Sequence, residues 1–239
     1  LYEQRAVMCS AAMEANCWDA ANQRYKAAAN DTRSMSGVLA GQWYADFLYL
    51  GDILDPQRVR STLQYVFNRN YRAASCTFGE FDDGGTWNAL PLGHYCSLAF
   101  TRDLPAHAMT VANQLYDVVY NRLRQQWGQP LGVSNCTQTN TAHAYMNPPV
   151  AWHLLAALMG SHWDIPNRTL WIQPHISTAP FNGQLRAPLL GALAWGYVEY
   201  SEVASGCDQE IIITMDTPTP IAKLKVKATG NPAVWVVKA

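Results

Sequence analysis

The stretch Ser36–Leu50 constrains the fold most, because it predicts a buried helix. Its apolar residues recur at the three- and four-residue steps of one helical face. These residues are Val38, Leu39, Trp43, Phe47, Leu48 and Leu50. Gly41 and Gln42 interrupt this face immediately before an aromatic pair. A glycine inside a helix costs about 1 kcal/mol relative to alanine, so the close approach of another backbone or of a ligand is expected there.

Two interpretations of this helix are open. Gln42 offers an amide that both donates and accepts, and Trp43 and Tyr44 offer flat aromatic surfaces. Such a combination is typical of carbohydrate-binding sites, so Gln42 and Trp43 are predicted to bind substrate. In the alternative, the helix is simply packed tightly and Gln42 is hydrogen-bonded to neighbouring backbone.

Composition excludes several functional classes. The chain has 239 residues, 49% hydrophobic and 15% charged, which is enough for a large core or for two small domains. A net charge of −1 without a basic patch argues against nucleic acid as a partner. No run of eighteen apolar residues predicts a transmembrane segment. The cysteines and histidines show no metal-binding spacing, and no glycine-rich phosphate loop is present, so neither a metal nor a cofactor is predicted.

The pattern predicts helices in the first two thirds and strands afterwards. The predicted helices, besides Ser36–Leu50, are Glu3–Cys17, Pro56–Asn70 with Asp55 as N-cap, Pro91–Phe100, Ala106–Trp127 and Met146–Leu158. The predicted strands are Arg24–Ala27, Leu170–Ile172, Leu185–Leu190, Gly196–Val203, Glu210–Met215, Ile221–Lys227 and Val234–Val237. The intervening stretch Arg72–Leu90 is predicted to be an irregular loop, and loops of that length are usually functional.

The residues Leu39–Tyr44, followed by Leu50–Gly51–Asp52 and the helix Pro56–Asn70, resemble the late catalytic domain of glycoside hydrolase family 116. That family contains the non-lysosomal glucosylceramidases and related bacterial β-glucosidases. The resemblance extends from about Ala6 to about Gly160. It implies a mainly α fold with a C-terminal β module: the second half of an (α/α)6 toroid over residues 1–163, then a β-sandwich-like cap over residues 164–239. The upstream half of the same precursor, or another polypeptide, would then complete the toroid as a hetero-complex.

The resemblance also implies site residues. The family's acid/base aspartate aligns with Asn88, whose amide cannot donate a catalytic proton at a useful rate. Trp87 lies beside it, and the family's Tyr-Met-Arg-Pro stretch, whose arginine contacts the sugar, matches Tyr145–Pro148 with Asn147 in place of arginine. Trp87, Tyr145 and Asn147 are therefore predicted to bind substrate with Gln42 and Trp43. The family's nucleophilic glutamate falls upstream of the matched region.

Two functions follow from these departures. In the first, the chain is the C-terminal portion of a β-glucosidase or glucosylceramidase-like hydrolase with an altered active site, and a loop carboxylate, Glu80, Asp82 or Asp83, acts as the acid. In the second, catalysis has been lost, and the chain is a pseudoenzyme that serves as a carbohydrate-binding or structural subunit. A carbohydrate or glycolipid is the expected ligand in either case.

Cysteines and sequons indicate an extracellular or lumenal protein. The six cysteines are scattered, and sequons predict glycosylation at Asn30, Asn135 and Asn167. At least one disulfide is expected, and a bond between Cys76 and Cys96 would close the long loop.

Overall fold

The computed structural model describes residues 2–84, 92–128, 130, 132–139, 151–174, 184–191, 195–202, 209–216 and 221–226. Contacts within the chain separate it into two compact units, Leu1–Leu154 and Leu155–Ala239. The sequence predicted a division nine residues later, after residue 163. None of the described helices is long and apolar enough to cross a membrane.

The first unit alternates helices with very short β-hairpins. Its helices are α1 (Tyr2–Cys17), α2 (Ala40–Phe47), α3 (Pro56–Asn70), α4 (Leu98–Thr101) and α5 (Pro105–Tyr116), with π-helical turns at Leu92–Ser97 and Asp117–Arg122. A further helix, α6 (Ala151–Met159), crosses the division. Antiparallel pairs are β1 (Trp18–Asp19) with β2 (Arg24–Tyr25), β3 (Tyr71–Arg72) with β4 (Thr77–Phe78), and β5 (Val133–Asn135) with β6 (Gln138–Thr139).

Helix α3 forms as its sequence predicts. The Asp55 carboxylate accepts hydrogen bonds of 2.9 Å from the backbone N–H groups of Gln57 and Arg58, and Pro56 occupies the first turn. The inner face buries Val59, Thr62, Leu63, Val66 and Asn70. Tyr95 packs against this helix and donates a hydrogen bond to the Leu63 carbonyl.

The described residues of the second unit form two three-stranded sheets. The first has the order β12 (Lys223–Val226), β8 (Thr169–Ile172), β7 (His162–Asp164), with β12 parallel to β8. The second is antiparallel, with the order β11 (Gln209–Met215), β10 (Trp195–Glu202), β9 (Gln184–Leu190). Alternate residues of these strands face one core, formed by Met159, Leu170, Ile172, Ala187, Leu189 and Val198.

The predicted half toroid with a β-sandwich-like cap is wrong. The described residues are 41% helical and 27% strand, a mixed α/β arrangement with several small sheets. A toroid needs long paired helices, but α2 has only 8 residues and α4 only 4, and hairpins interrupt the helical order. The predicted helix Ala106–Trp127 leaves α-helical geometry at Asp117. The parallel pairing of β12 with β8 also differs from the antiparallel pairing of a typical sandwich.

The predicted disulfide between Cys76 and Cys96 is also wrong. Cys76 is bonded to Cys136, with the two Cα atoms 4.9 Å apart, and Cys96 is a fully buried free thiol. Cys96 lies at the end of a π-helical turn and packs into the core, so it does not reach the loop. The β5–β6 hairpin contacts β4 and brings Cys136 to Cys76, a contact that the ends of the loop alone did not predict.

Buried polar side chains fasten the long loop to the segment before α2. The Asn70 amide, fully buried at the end of α3, donates to the carbonyls of Ser34 and Gly79 at 3.2 and 3.0 Å. The loop backbone itself pairs with this segment, since Ser36 N–H donates to the Glu80 carbonyl at 2.9 Å. Residues 71–84 are therefore an ordered structure with its own hairpin, and not the irregular loop that the sequence predicted.

We expect Asn70→Ala to destabilise the protein by about 2–3 kcal/mol, because it removes the donor to the buried Gly79 carbonyl and one of two donors to the Ser34 carbonyl. Asn68→Ala is the matched control, since Asn68 lies exposed on the same helix and should change stability by less than about 0.5 kcal/mol. Urea unfolding followed by circular dichroism measures both. Equal stability of the two variants would contradict this role of Asn70.

Candidate functional site

Both the oxygen and the nitrogen of the Gln42 amide form hydrogen bonds within the protein. Gln42 is 1% exposed, and its Oε1 accepts from the backbone N–H groups of Ile53 and Leu54 at 2.9 and 3.0 Å. Its Nε2 donates to Asp46 Oδ1 at 2.7 Å and more weakly to the Gly51 carbonyl at 3.4 Å. These contacts correspond to the packed-helix interpretation of α2. The amide shapes the turn after the helix and faces no open surface.

An ionic network surrounds this amide. Arg102 donates to Asp46 Oδ1 at 2.9 Å and to Asp52 Oδ1 at 2.6 Å, and Thr101 donates to Asp46 Oδ2 at 3.1 Å. Burial raises the pKa of Asp46, and the positive charge of Arg102 opposes that rise. Because Arg102 and Asp46 are only 16% and 18% exposed, the network fastens α2 to the end of α4 and has no free carboxylate to offer a ligand.

The close approach of another backbone or of a ligand that was predicted at Gly41 is not found in the structure. The residue is exposed, and a Cβ built there would touch only Ile53 Cδ1 at an ordinary 3.8 Å. The close approach occurs instead at Gly37, where an added Cβ would lie 3.3 Å from Cε1 of His94. His94 is thus held against the backbone just before α2, a position that the sequence analysis missed.

Aromatic rings of α2 form a cluster with two histidines. Trp43 stacks on Phe47 with centroids 6.3 Å apart, and His153 meets Trp43 and Phe47 edge-on at 5.2 and 4.3 Å. His94 meets Trp43 edge-on at 6.0 Å. Tyr44 and Phe47 remain 54% and 40% exposed, so part of this cluster faces solvent. We call Trp43, Tyr44, Phe47, His94 and His153 the aromatic cluster.

Both histidines of the aromatic cluster are neutral at physiological pH. Burial lowers the pKa of His94 to about 4 and also lowers the pKa of His153. His94 Nδ1 is buried and has no hydrogen-bond partner among the described residues. A neutral imidazole can donate from one nitrogen and accept at the other, which suits hydroxyl groups.

The three loop carboxylates differ in their surroundings. Asp82 accepts from Ser34 N–H at 3.1 Å and lies 3.6 Å from Arg69, and Asp83 lies 3.9 Å from Arg33. Glu80 is exposed, and its carboxylate has neither an ion pair nor a hydrogen bond among the described residues. The carbonyl of Glu80 is bonded to Ser36, one residue before Gly37, so its backbone lies close to the segment that contacts His94.

The remaining predicted site residues have varied positions. Trp87, Asn88, Tyr145 and Asn147 lie outside the described residues, so predictions about them stay predictions. The sequon residues Asn30 and Asn167 are exposed, and Asn135 is half-buried on β5. Asn167 donates from its amide to Asp164 at 2.8 Å. Across the described part of the chain, no group of three or more His, Cys, Asp or Glu side chains could hold a metal ion.

Arg24 is another residue that sequence reasoning missed. It is only 3% exposed, and its guanidinium donates to the Arg33 and Thr32 carbonyls while lying 4.6 Å from the Tyr65 ring centroid. The sequence predicted a strand over Arg24–Ala27 but gave no sign that the arginine would be buried beside Tyr25. Arg24 holds the segment that leads into Ser34–Gly37, and it therefore supports the aromatic cluster indirectly.

Comparison with known proteins adds no assignment: no protein-family model and no curated protein matches the chain.

We expect His94 to make the protein less stable in acid. Its folded pKa of about 4 lies below the usual 6.5, so below pH 6.5 the unfolded chain takes up a proton that the folded chain resists. Between pH 6.5 and pH 4, His94 should therefore lower the free energy of unfolding by up to about 3 kcal/mol.

Urea unfolding at several pH values tests this expectation. His94→Gln should flatten the stability curve between pH 6.5 and pH 4. His107→Gln is the control, because His107 has a smaller lowering of its pKa and stacks on Phe67, away from α2. Parallel curves for wild type and His94→Gln would show that His94 is not held neutral by burial.

Proposed function

We propose that this chain binds carbohydrate through the aromatic cluster, as part of a protein related to family 116 glycoside hydrolases. The observation that carries the proposal is the exposed aromatic surface of Tyr44 and Phe47, whose neighbour Trp43 contacts two neutral histidines, His94 and His153. The C–H faces of a sugar ring pack on aromatic rings, and its hydroxyl groups exchange hydrogen bonds with imidazole nitrogens.

The resemblance supports this proposal because its strongest block, Ala40–Tyr44, lies in α2 itself. It gives no support to Gln42 as a direct ligand, since that amide is already hydrogen-bonded within the protein. Gln42 acts in the proposal as the residue that fixes the helix from which Tyr44 and Phe47 project. The substrate class that the resemblance suggests is a β-glucoside.

An extracellular or lumenal location belongs to the same proposal. The Cys76–Cys136 disulfide is stable in oxidising compartments, and three sequons are available for glycosylation. Asn30 and Asn167 are exposed enough to carry a glycan without displacing core residues.

Hydrolysis is a second candidate function, and Glu80 is the observation that favours it. Glycoside hydrolysis requires a carboxylic acid beside the glycosidic oxygen and a second carboxylate as nucleophile or base. Arginines neutralise Asp82 and Asp83, whereas Glu80 has no such partner among the described residues. If a loop carboxylate acts as the acid, it is therefore Glu80.

Titration with methyl β-glucoside, followed by calorimetry or NMR, tests binding. Tyr44→Ala and Phe47→Ala should each weaken binding about fivefold, as expected for an aromatic contact worth about 1 kcal/mol. Tyr116→Ala is the matched control, because Tyr116 is 57% exposed on α5 and stacks on Tyr120 instead. Binding that is equal in all four proteins would contradict the proposal.

Two further variants, Glu80→Gln and Asp83→Asn, test the second candidate. Hydrolysis of a nitrophenyl β-glucoside that is lost in Glu80→Gln but retained in Asp83→Asn would support catalysis through Glu80. Hydrolysis that is unaffected by Glu80→Gln would exclude that role.

A further inference from the structure

A polar groove lies on the first unit, lined by residues other than those of the aromatic cluster. Its volume is about 420 Å³, within the range of small-molecule sites. Its lining residues are Tyr71, Ala73, Cys76, Thr110, Asn113, Gln114, Asp117 and Arg122. The groove is largely open to solvent, and its lining combines an aromatic ring, two amides, a carboxylate and a guanidinium.

The spacing of residues on α5 explains the floor of the groove. Thr110, Asn113, Gln114 and Asp117 follow the i, i+3, i+4, i+7 pattern of one helical face. The opposite face carries Ala108, Val111, Leu115 and Val118, all buried in the core. A polar face opposite the core is ordinary in a surface helix. This one differs because Tyr71, Ala73 and Cys76, from the segment after α3, line the groove beside it.

The π-helical turn after α5 gives the groove its charged end. Asp117 and Arg122 are five residues apart, and side chains at that spacing diverge in an α-helix. The i→i+5 hydrogen bonding of the π-helical turn Asp117–Arg122 brings them together, with Arg122 Nε 2.6 Å from Asp117 Oδ2. The bond to Arg122 lowers the pKa of Asp117, so both groups are charged and the pair is neutral overall.

The walls are fixed by a ring stack and by the disulfide. Tyr71 stacks on Phe67 at 5.0 Å, and Phe67 stacks on His107 at 4.0 Å, so the Tyr71 ring has little freedom to turn. Cys76 is held by its bond to Cys136, which ties β5 to the hairpin that follows α3. Breaking that bond would release one wall.

Gln114 points to the chemistry of the ligand. Its Nε2 donates to the Arg72 carbonyl at 3.4 Å, but its Oε1 is buried and has no partner among the described residues. A buried acceptor needs a donor, and a ligand hydroxyl group would supply one. Asp117 can accept from a second hydroxyl group, while Asn113 and Arg122 can donate to hydroxyl oxygens. A small anion would gain little, because Asp117 already balances the charge of Arg122.

We propose that this groove binds a neutral, hydroxyl-rich small molecule such as a monosaccharide, and that the Cys76–Cys136 disulfide holds the groove in its binding shape. The site is independent of the aromatic cluster, since the two share no residue. The ligand lies against the Tyr71 ring and exchanges hydrogen bonds with Gln114, Asn113 and the Asp117–Arg122 pair.

Titration of the isotope-labelled full chain with methyl β-glucoside, followed by NMR, tests the proposal. The backbone amide signals of Asn113 and Gln114 should shift on binding. Asn113→Ala and Gln114→Met should each weaken binding at this site about threefold to tenfold, which corresponds to one hydrogen bond. Asn68→Ala, an exposed amide on α3, is the control and should leave the affinity unchanged.

The disulfide is tested in the same titration. Cys76→Ser with Cys136→Ser should weaken binding about tenfold or more while the thermal melt remains cooperative. If that double variant does not fold, the two amide variants still decide the question. Absence of shifts at Asn113 and Gln114 in tens of millimolar glucoside, or binding that is lost in Tyr44→Ala but unchanged in Asn113→Ala and Gln114→Met, would overturn the proposal.

Discussion

The buried amide of Gln42 is the interaction on which the first unit depends. One side chain accepts from two successive backbone N–H groups and donates to a carboxylate, so it fixes the turn that follows α2. Removing it would leave the backbone N–H groups of Ile53 and Leu54 without an acceptor, whereas Asp46 would keep Arg102 and Thr101 as donors. Each buried group left unsatisfied costs about 1–3 kcal/mol. The buried position of Gln42 therefore fixes the turn Leu50–Leu54. It also holds Asp46 in the ionic network of Arg102.

Similar polar clamps position the rest of the candidate site. Arg24 holds the backbone at Thr32 and Arg33, and Asn70 holds it at Ser34. The Asp82 carboxylate also holds Ser34, because it accepts a hydrogen bond from the Ser34 N–H group. The segment before α2 is thereby fixed against the hairpin region after α3. This rigid backbone carries the exposed rings on α2 and the unpaired carboxylate of Glu80. Side chains that are held in place in this way lose less entropy when a ligand binds.

Local patterns in the sequence predicted most helices and strands well, but they predicted the three-dimensional arrangement of these elements poorly. The N-cap Asp55, helix α3 and the strands β8 to β11 follow from capping and alternation, which depend on residues close in sequence. The two-residue strands β3 and β4, the π-helical turns and the Cys76–Cys136 bond depend on contacts distant in sequence, so no local pattern revealed them. The toroid was inferred from the resemblance alone, and that inference failed. At the site, substrate binding by Trp43 stays a prediction, whereas His94 and Arg24 gave no periodic signal.

Amide hydrogen exchange at Ile53 and Leu54 tests the central role of Gln42 most directly. Both N–H groups donate to Gln42 Oε1, so both should exchange slowly in the wild-type protein. In Gln42→Met, which keeps the length of the side chain but removes the acceptor, their protection should fall by about a hundredfold more than that of Leu63 inside α3. Exchange at Ile53 and Leu54 that is already fast in the wild type, or that stays slow in Gln42→Met, would contradict the account.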